Sequence, residues 1–134
     1  MLMKAHAVLK NESYLDSAVK AGDVTWERGL LTKGLMLCHG IMGNTYMQII
    51  MAKYMEGDEK NKYFWRALQF QEFVASDPNI YNVDLMRKPT PSPYFFYTAS
   101  YESAIMLWVD LLAYASKGKN DLNLLSTPFY EYSI

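Results

Sequence analysis

Cysteine, charge of one sign and long apolar runs are all scarce in this sequence, and each scarcity removes a class of function. A single cysteine, Cys38, excludes an internal disulfide framework and fits a reducing compartment. Thirteen basic residues against fourteen acidic ones give a net charge of −1, with the signs interspersed. That leaves no footprint for nucleic acid and no polybasic patch for a membrane surface. The longest apolar stretch, around Ala104 to Ala115, is interrupted by Asp110 and is too short to span a bilayer. Lys4, His6 and Lys10 open the chain without the continuous apolar core of a signal peptide. No segment alternates apolar and polar residues as a half-buried strand does. The expectation is a soluble, cytoplasmic, all-α protein with no nucleic-acid partner and no transmembrane segment.

What is present is material for a core. The chain has 134 residues, of which 51% are hydrophobic, with eleven tyrosines and nine methionines. That is enough for one domain and too apolar for a disordered tail. Asn11 and Ser13 can cap a helix, with Asp16 three residues after Ser13 as in a loose capping box. Leu15, Ala18, Val19, Gly22 and Trp26 follow at helical spacing, so 12–28 reads as an amphipathic helix. Residues 29–43 read as a glycine-punctuated loop. Asn44 to Met55 forms a second helix, apolar around most of its circumference and therefore buried on nearly all sides. Gly57-Asp58 ends it. A third, amphipathic helix runs over 61–76, with Phe64, Ala67, Leu68 and Val74 inward and Lys62, Arg66, Gln69 and Glu72 on polar faces. Pro78, Pro89, Pro91 and Pro93 exclude a helix over 77–93. A fourth, again largely apolar, runs from about Phe96 to Ser116, and the tail after Lys117 reads as irregular. Amphipathic helices thus alternate with apolar ones. Two helical hairpins of this kind suit a slice of a double-layered helical array better than a closed bundle, whose helices all need a polar outer stripe.

The chemistry concentrates at Cys38-His39. Thiolate and imidazole are zinc's favoured ligand types, but a catalytic zinc takes three protein ligands, so this pair supplies part of a site. The bland alternative is a buried thiol beside a loop histidine. A Cys/His nucleophilic dyad is disfavoured, because side chains adjacent in sequence rarely face one another and no third, orienting residue is evident. Gly40-x-x-Gly43-Asn44 could seat an anion at a helix N-terminus, although a tight entry into the second helix explains it more simply. The methionines and tyrosines of that helix read as core, and His6 as a surface residue.

Trp26-Glu27-Arg28-Gly29-Leu30-Leu31-x-Lys33-Gly34, followed by Leu37-Cys38-His39-Gly40-x-x-Gly43-Asn44-x-Tyr46, closely resembles the eukaryotic LanC-like (lanthionine synthetase C-like) proteins. The similarity runs from about Tyr14 through Phe73, taking in Tyr63, Arg66-Ala67, Phe70 and Glu72-Phe73. It continues more weakly through Arg87-x-Pro89, Pro93, Thr127-Pro128-Phe129 and Glu131. The resemblance implies that 1–134 forms the C-terminal part of an α/α toroid of seven inner and seven outer helices around a central zinc. Cys38 and His39 would be two of the three metal ligands. The third, a cysteine of an earlier repeat, would lie upstream of this chain, which therefore reads as a truncated protein or an incomplete gene model.

The activity implied by the resemblance is addition of a thiol to dehydroalanine or dehydrobutyrine. Glutathione would be the thiol and a dehydrated protein the acceptor. Lys33 and Arg87 match basic positions resembling the family's glutathione contacts, and paired cations suit a ligand with two carboxylates. Two departures stand out. Met36 replaces a small residue before Leu-Cys-His, and Tyr97-Thr98-Ala99-Ser100-Tyr101-Glu102-Ser103 lacks the glycines and the matching acid of the family's last inner helix. They motivate two alternatives: a non-catalytic glutathione-binding or adaptor remnant, and an inactive fragment.

Overall fold

A computed structural model describes residues 1–30, 35–37, 40–76 and 100–117. These described residues form five helices: α1 (Leu2–Leu9), α2 (Glu12–Arg28), α3 (Ile41–Tyr54), α4 (Gly57–Ser76) and α5 (Ser100–Lys117). No strand occurs among the described residues. The all-α expectation holds. α1 is additional to the four helices read from the sequence. It has no side-chain cap at Met1, and it stops at Lys10, whose left-handed backbone (φ 53°) returns its N–H to the His6 carbonyl.

Asn11 opens α2 by accepting the Ser13 N–H on its side chain at 3.0 Å. Ser13 is not the cap: it lies inside the first turn, and its hydroxyl also donates to Asn11 at 2.8 Å. α3 begins at Ile41 rather than Asn44, and Gly40 caps it through extended backbone alone. α4 begins at Gly57 rather than Asn61. Gly57-Asp58 starts this helix as well as following the previous one, because Gly57 adopts a φ of +55° that turns the chain directly into α4. The part of the expected fourth helix before Ser100 lies outside the described residues.

α1 packs on α2 and α3 packs on α4, two helical hairpins in succession; α1, α2 and α5 also lean on α3. No residue of α3 is exposed, as its all-round apolar sequence requires. The core runs through Met3, Ala18, Leu35, Ile41, Met42, Tyr46, Ile49, Met51, Tyr63, Ala67, Phe70, Val74 and Leu107. On α4 the buried stripe is Tyr63, Ala67, Phe70 and Val74. Leu68, expected inside, is exposed, while Phe64 is half-buried against the core. The stripe follows spacings of four, three and four residues, and Leu68 falls outside it.

α5 turns Ala104, Leu107 and Asp110 inward and leaves Ile105, Trp108, Val109 and Leu112 to solvent. Its only charged residue between 104 and 112 therefore faces the core. Its apolar stripe at i, i+3, i+4 and i+7 faces out. No helix among the described residues is long and apolar enough to cross a membrane.

Candidate functional site

The loop between α2 and α3 carries the densest motif, and its described parts are packed in. Leu35 and Met36 are 0% and 1% exposed, so Met36 is accommodated as a core residue. The Met36 carbonyl accepts the Gly40 N–H at 2.9 Å and, more loosely, the Gly43 N–H at 3.4 Å. Gly43 is needed where it stands: a Cβ there would lie 2.0 Å from the Leu37 carbonyl oxygen. Gly43 thus serves the tight entry into α3 by allowing a close backbone approach.

The other shoulder of the loop is tied by a side chain. Asn44 Nδ2 donates to the Gly29 carbonyl at 2.8 Å, taking up an acceptor left open where α2 ends. One turn further along α3, Gln48 Nε2 donates to the Gly22 carbonyl at 2.9 Å. Between them Thr25 Oγ1 reaches Met47 Sδ at 3.1 Å while also bonding the Ala21 carbonyl. Rising positions on α3 meet falling positions on α2, so the helices run antiparallel and the loop ends are fixed against each other.

Several motif residues build the scaffold. Trp26 packs its ring 5.5 Å from both Trp65 and Phe70, joining the end of α2 to α4. Arg66 pairs with Asp23 at 2.6 Å and lies over the Trp26 and Tyr63 rings. Tyr46, at the end of the motif, donates to Asp110 Oδ2 on α5 at 2.7 Å, with both residues buried. Burial first, and then the Asp110 carboxylate, push the Tyr46 phenol far above its usual range. Burial, together with the nearby Asp23 charge, raises Tyr63 as well.

Lys33, Cys38, His39 and Arg87 lie outside the described residues. His6 is half-buried on α1, with Nδ1 3.2 Å from the Asn11 carbonyl oxygen. Among the described residues, no group of three or more His, Cys, Asp or Glu is placed to hold a metal ion. Cys38 and His39 are zinc-type donors by their chemistry. Nothing in the residue pattern pointed to the Asn44–Gly29 tie or the Tyr46–Asp110 pair, whose partners stand 15 and 64 residues apart. The one available clue was Asn44 itself, a polar residue at the start of an otherwise apolar helix.

Residues 1–90 match the family described as "Lanthionine synthetase C-like protein". That span includes Lys33, Cys38, His39 and Arg87. Glutathione S-transferase LANCL1 of Danio rerio is 38% identical over 76 residues, which make up 57% of this chain and 18% of that protein. A match over 90 of 134 residues, with helices and no strand among the described residues, places the chain in the lanthionine synthetase C-like family.

Proposed function

We propose that this chain supplies the Cys38–His39 part of a zinc-dependent site that binds glutathione and adds its thiol to dehydroalanine or dehydrobutyrine residues of proteins. The observation that carries this is the family match over 1–90, which takes in all four candidate residues. The name of the Danio rerio relative, a glutathione S-transferase, supports glutathione as the thiol. Zinc, when bound, would lower the pKa of a ligated thiol so that a nucleophile exists at neutral pH. Cys38 and His39 would hold it, with a third ligand from beyond the described residues. Lys33 and Arg87 would grip the two carboxylates of glutathione, Arg87 as a two-pronged donor.

A second reading is non-catalytic: glutathione binding without addition. The observation favouring it is the run Tyr97-Thr98-Ala99-Ser100-Tyr101-Glu102-Ser103, which lacks the glycines and the acid expected of a glutathione-adding relative. Equilibrium dialysis with labelled glutathione, followed by mass spectrometry of a dehydroalanine peptide incubated with chain, zinc and glutathione, separates the two. Retention of glutathione that weakens in Lys33→Ala and Arg87→Ala, with a peptide adduct formed faster than in a protein-free control, supports the first reading. Retention with no accelerated adduct supports the second. No retention with or without zinc overturns both.

A further inference from the structure

The seam between α2 and α3 holds a sulfur and a hydroxyl face to face. Gln48 Nε2 bonds the Gly22 carbonyl at 2.9 Å, and Asn44 Nδ2 bonds the Gly29 carbonyl at 2.8 Å. Between these two ties Thr25 Oγ1 stands 3.1 Å from Met47 Sδ and 2.8 Å from the Ala21 carbonyl oxygen. A threonine hydroxyl has one proton, and a thioether is a weak acceptor, so the carbonyl holds that proton while the sulfur is a thioether. The flanking ties keep hydroxyl and sulfur in register. Met47 is also within reach of small solutes. It is half-buried, as is Thr25, whereas Met3, Met36, Met42 and Met51 are at most 3% exposed.

We propose that Met47 is a peroxide-sensitive modification site and that Thr25 is the donor that receives its sulfoxide oxygen. The sulfur attacks one oxygen of hydrogen peroxide. An S–O bond forms as the O–O bond breaks, and the proton on the attacked oxygen passes to the departing one, which leaves as water. Sulfur gives up two electrons and the peroxide takes them, leaving methionine sulfoxide. The sulfoxide oxygen is a stronger acceptor than the thioether, so the Thr25 proton turns from the Ala21 carbonyl to Met47. That carbonyl keeps the Thr25 N–H of the helix ladder. An oxidised methionine in a core strands a polar oxygen, at a cost to stability. At Met47 the partner is already in place, so the helices stay packed in the oxidised state. This inference is independent of the zinc and glutathione reading.

The test treats wild type, Thr25→Val, Thr25→Ser, Met47→Leu and the Thr25→Val, Met47→Leu double variant with hydrogen peroxide in native buffer. Peptide mapping by mass spectrometry follows each methionine, and urea denaturation is measured before and after treatment. Met47 should form sulfoxide at least about tenfold faster than Met42 and Met51, which are 0% and 2% exposed and oxidise only through opening of the fold. Oxidation should lower the folding equilibrium constant of Thr25→Val by about fivefold more than that of wild type, the factor that one net hydrogen bond is worth. Thr25→Ser, which keeps the hydroxyl, should match wild type. In the Met47→Leu background Thr25→Val should make no such difference, because oxidation of the remaining methionines is common to both chains. If Thr25→Val shows no cooperative transition, Thr25→Ala carries the same comparison. Met47 oxidising no faster than Met42 overturns the modification site. An equal penalty with and without the Thr25 hydroxyl overturns its role, and so does a gap that persists in the Met47→Leu background.

Discussion

Replacing Tyr46 by Phe isolates a buried carboxylate contact that joins α5 to α3. The phenol donates to Asp110 Oδ2 at 2.7 Å, and Asp110 is 2% exposed. A hydrogen bond to a charged group contributes about 1.5–3 kcal/mol, and breaking a buried charged pair costs up to about 5 kcal/mol when the charge is left alone. Asp110 keeps at least one other interaction, so the lower part of that range applies. The expected loss for Tyr46→Phe is about 2 kcal/mol, or roughly 6–10 °C in melting temperature for a chain of this length. Asp110→Leu should cost less, about 1 kcal/mol, because an orphaned phenol is cheaper than an under-bonded carboxylate. The double variant should then cost less than the sum of the two single changes, since neither member of the Tyr46–Asp110 pair is left stranded by loss of the other. Urea denaturation read by far-UV circular dichroism measures all three. The alkaline limb gives an independent reading. Burial and Asp110 hold the Tyr46 phenol protonated where the unfolded chain releases it, near pH 10. The native state then binds the extra proton, so stability falls as pH rises above about 10, by up to about 1.4 kcal/mol per pH unit for this group. Tyr46→Phe should remove that share of the slope and leave the share due to Tyr63, whose pKa is also raised. A Tyr46→Phe variant within about 0.5 kcal/mol of wild type, with an unchanged alkaline slope, would refute the pairing as a stabilising contact.

Gly43→Ala should destabilise by about 3 kcal/mol or more in the same denaturation assay, because its Cβ meets backbone at 2.0 Å and not a movable side chain. Asp23→Asn, which weakens the partly exposed pair with Arg66, should cost no more than about 1 kcal/mol, and less at high salt. The exposed stripe Ile105, Trp108, Val109 and Leu112 should bind a hydrophobic dye and promote self-association, and Val109→Lys with Leu112→Glu should reduce both fluorescence and light scattering.

Periodicity carried the helical reading where burial was symmetric or simply amphipathic. The inward positions of α2 and the all-round burial of α3 were legible because a run of apolar side chains on every side has one stable environment. α1 escaped notice because it is eight residues long and has no capping side chain to announce it. The starts of α3 and α4 were misplaced because a glycine caps the first and opens the second, and glycine reads equally well as loop. Leu68 was placed inward because amphipathic spacing alone does not fix the centre of a stripe. Asp110 interrupts an apolar run and looks like a residue bound for solvent. Only its partner on α3 explains its burial, and that pairing is a tertiary fact. The Cys38–His39 motif was legible as a family resemblance. Asn44, whose side chain ties α3 to the end of α2, was legible only as a helix opener.

The most direct test of the central claim is elemental analysis of zinc in the purified chain after dialysis, wild type against Cys38→Ala. With Cys38 and His39 as two of three ligands, wild type should hold zinc weakly, at less than one ion per chain, and Cys38→Ala should lose it. One tightly held zinc per chain, or a zinc content unaltered by Cys38→Ala, would contradict the account.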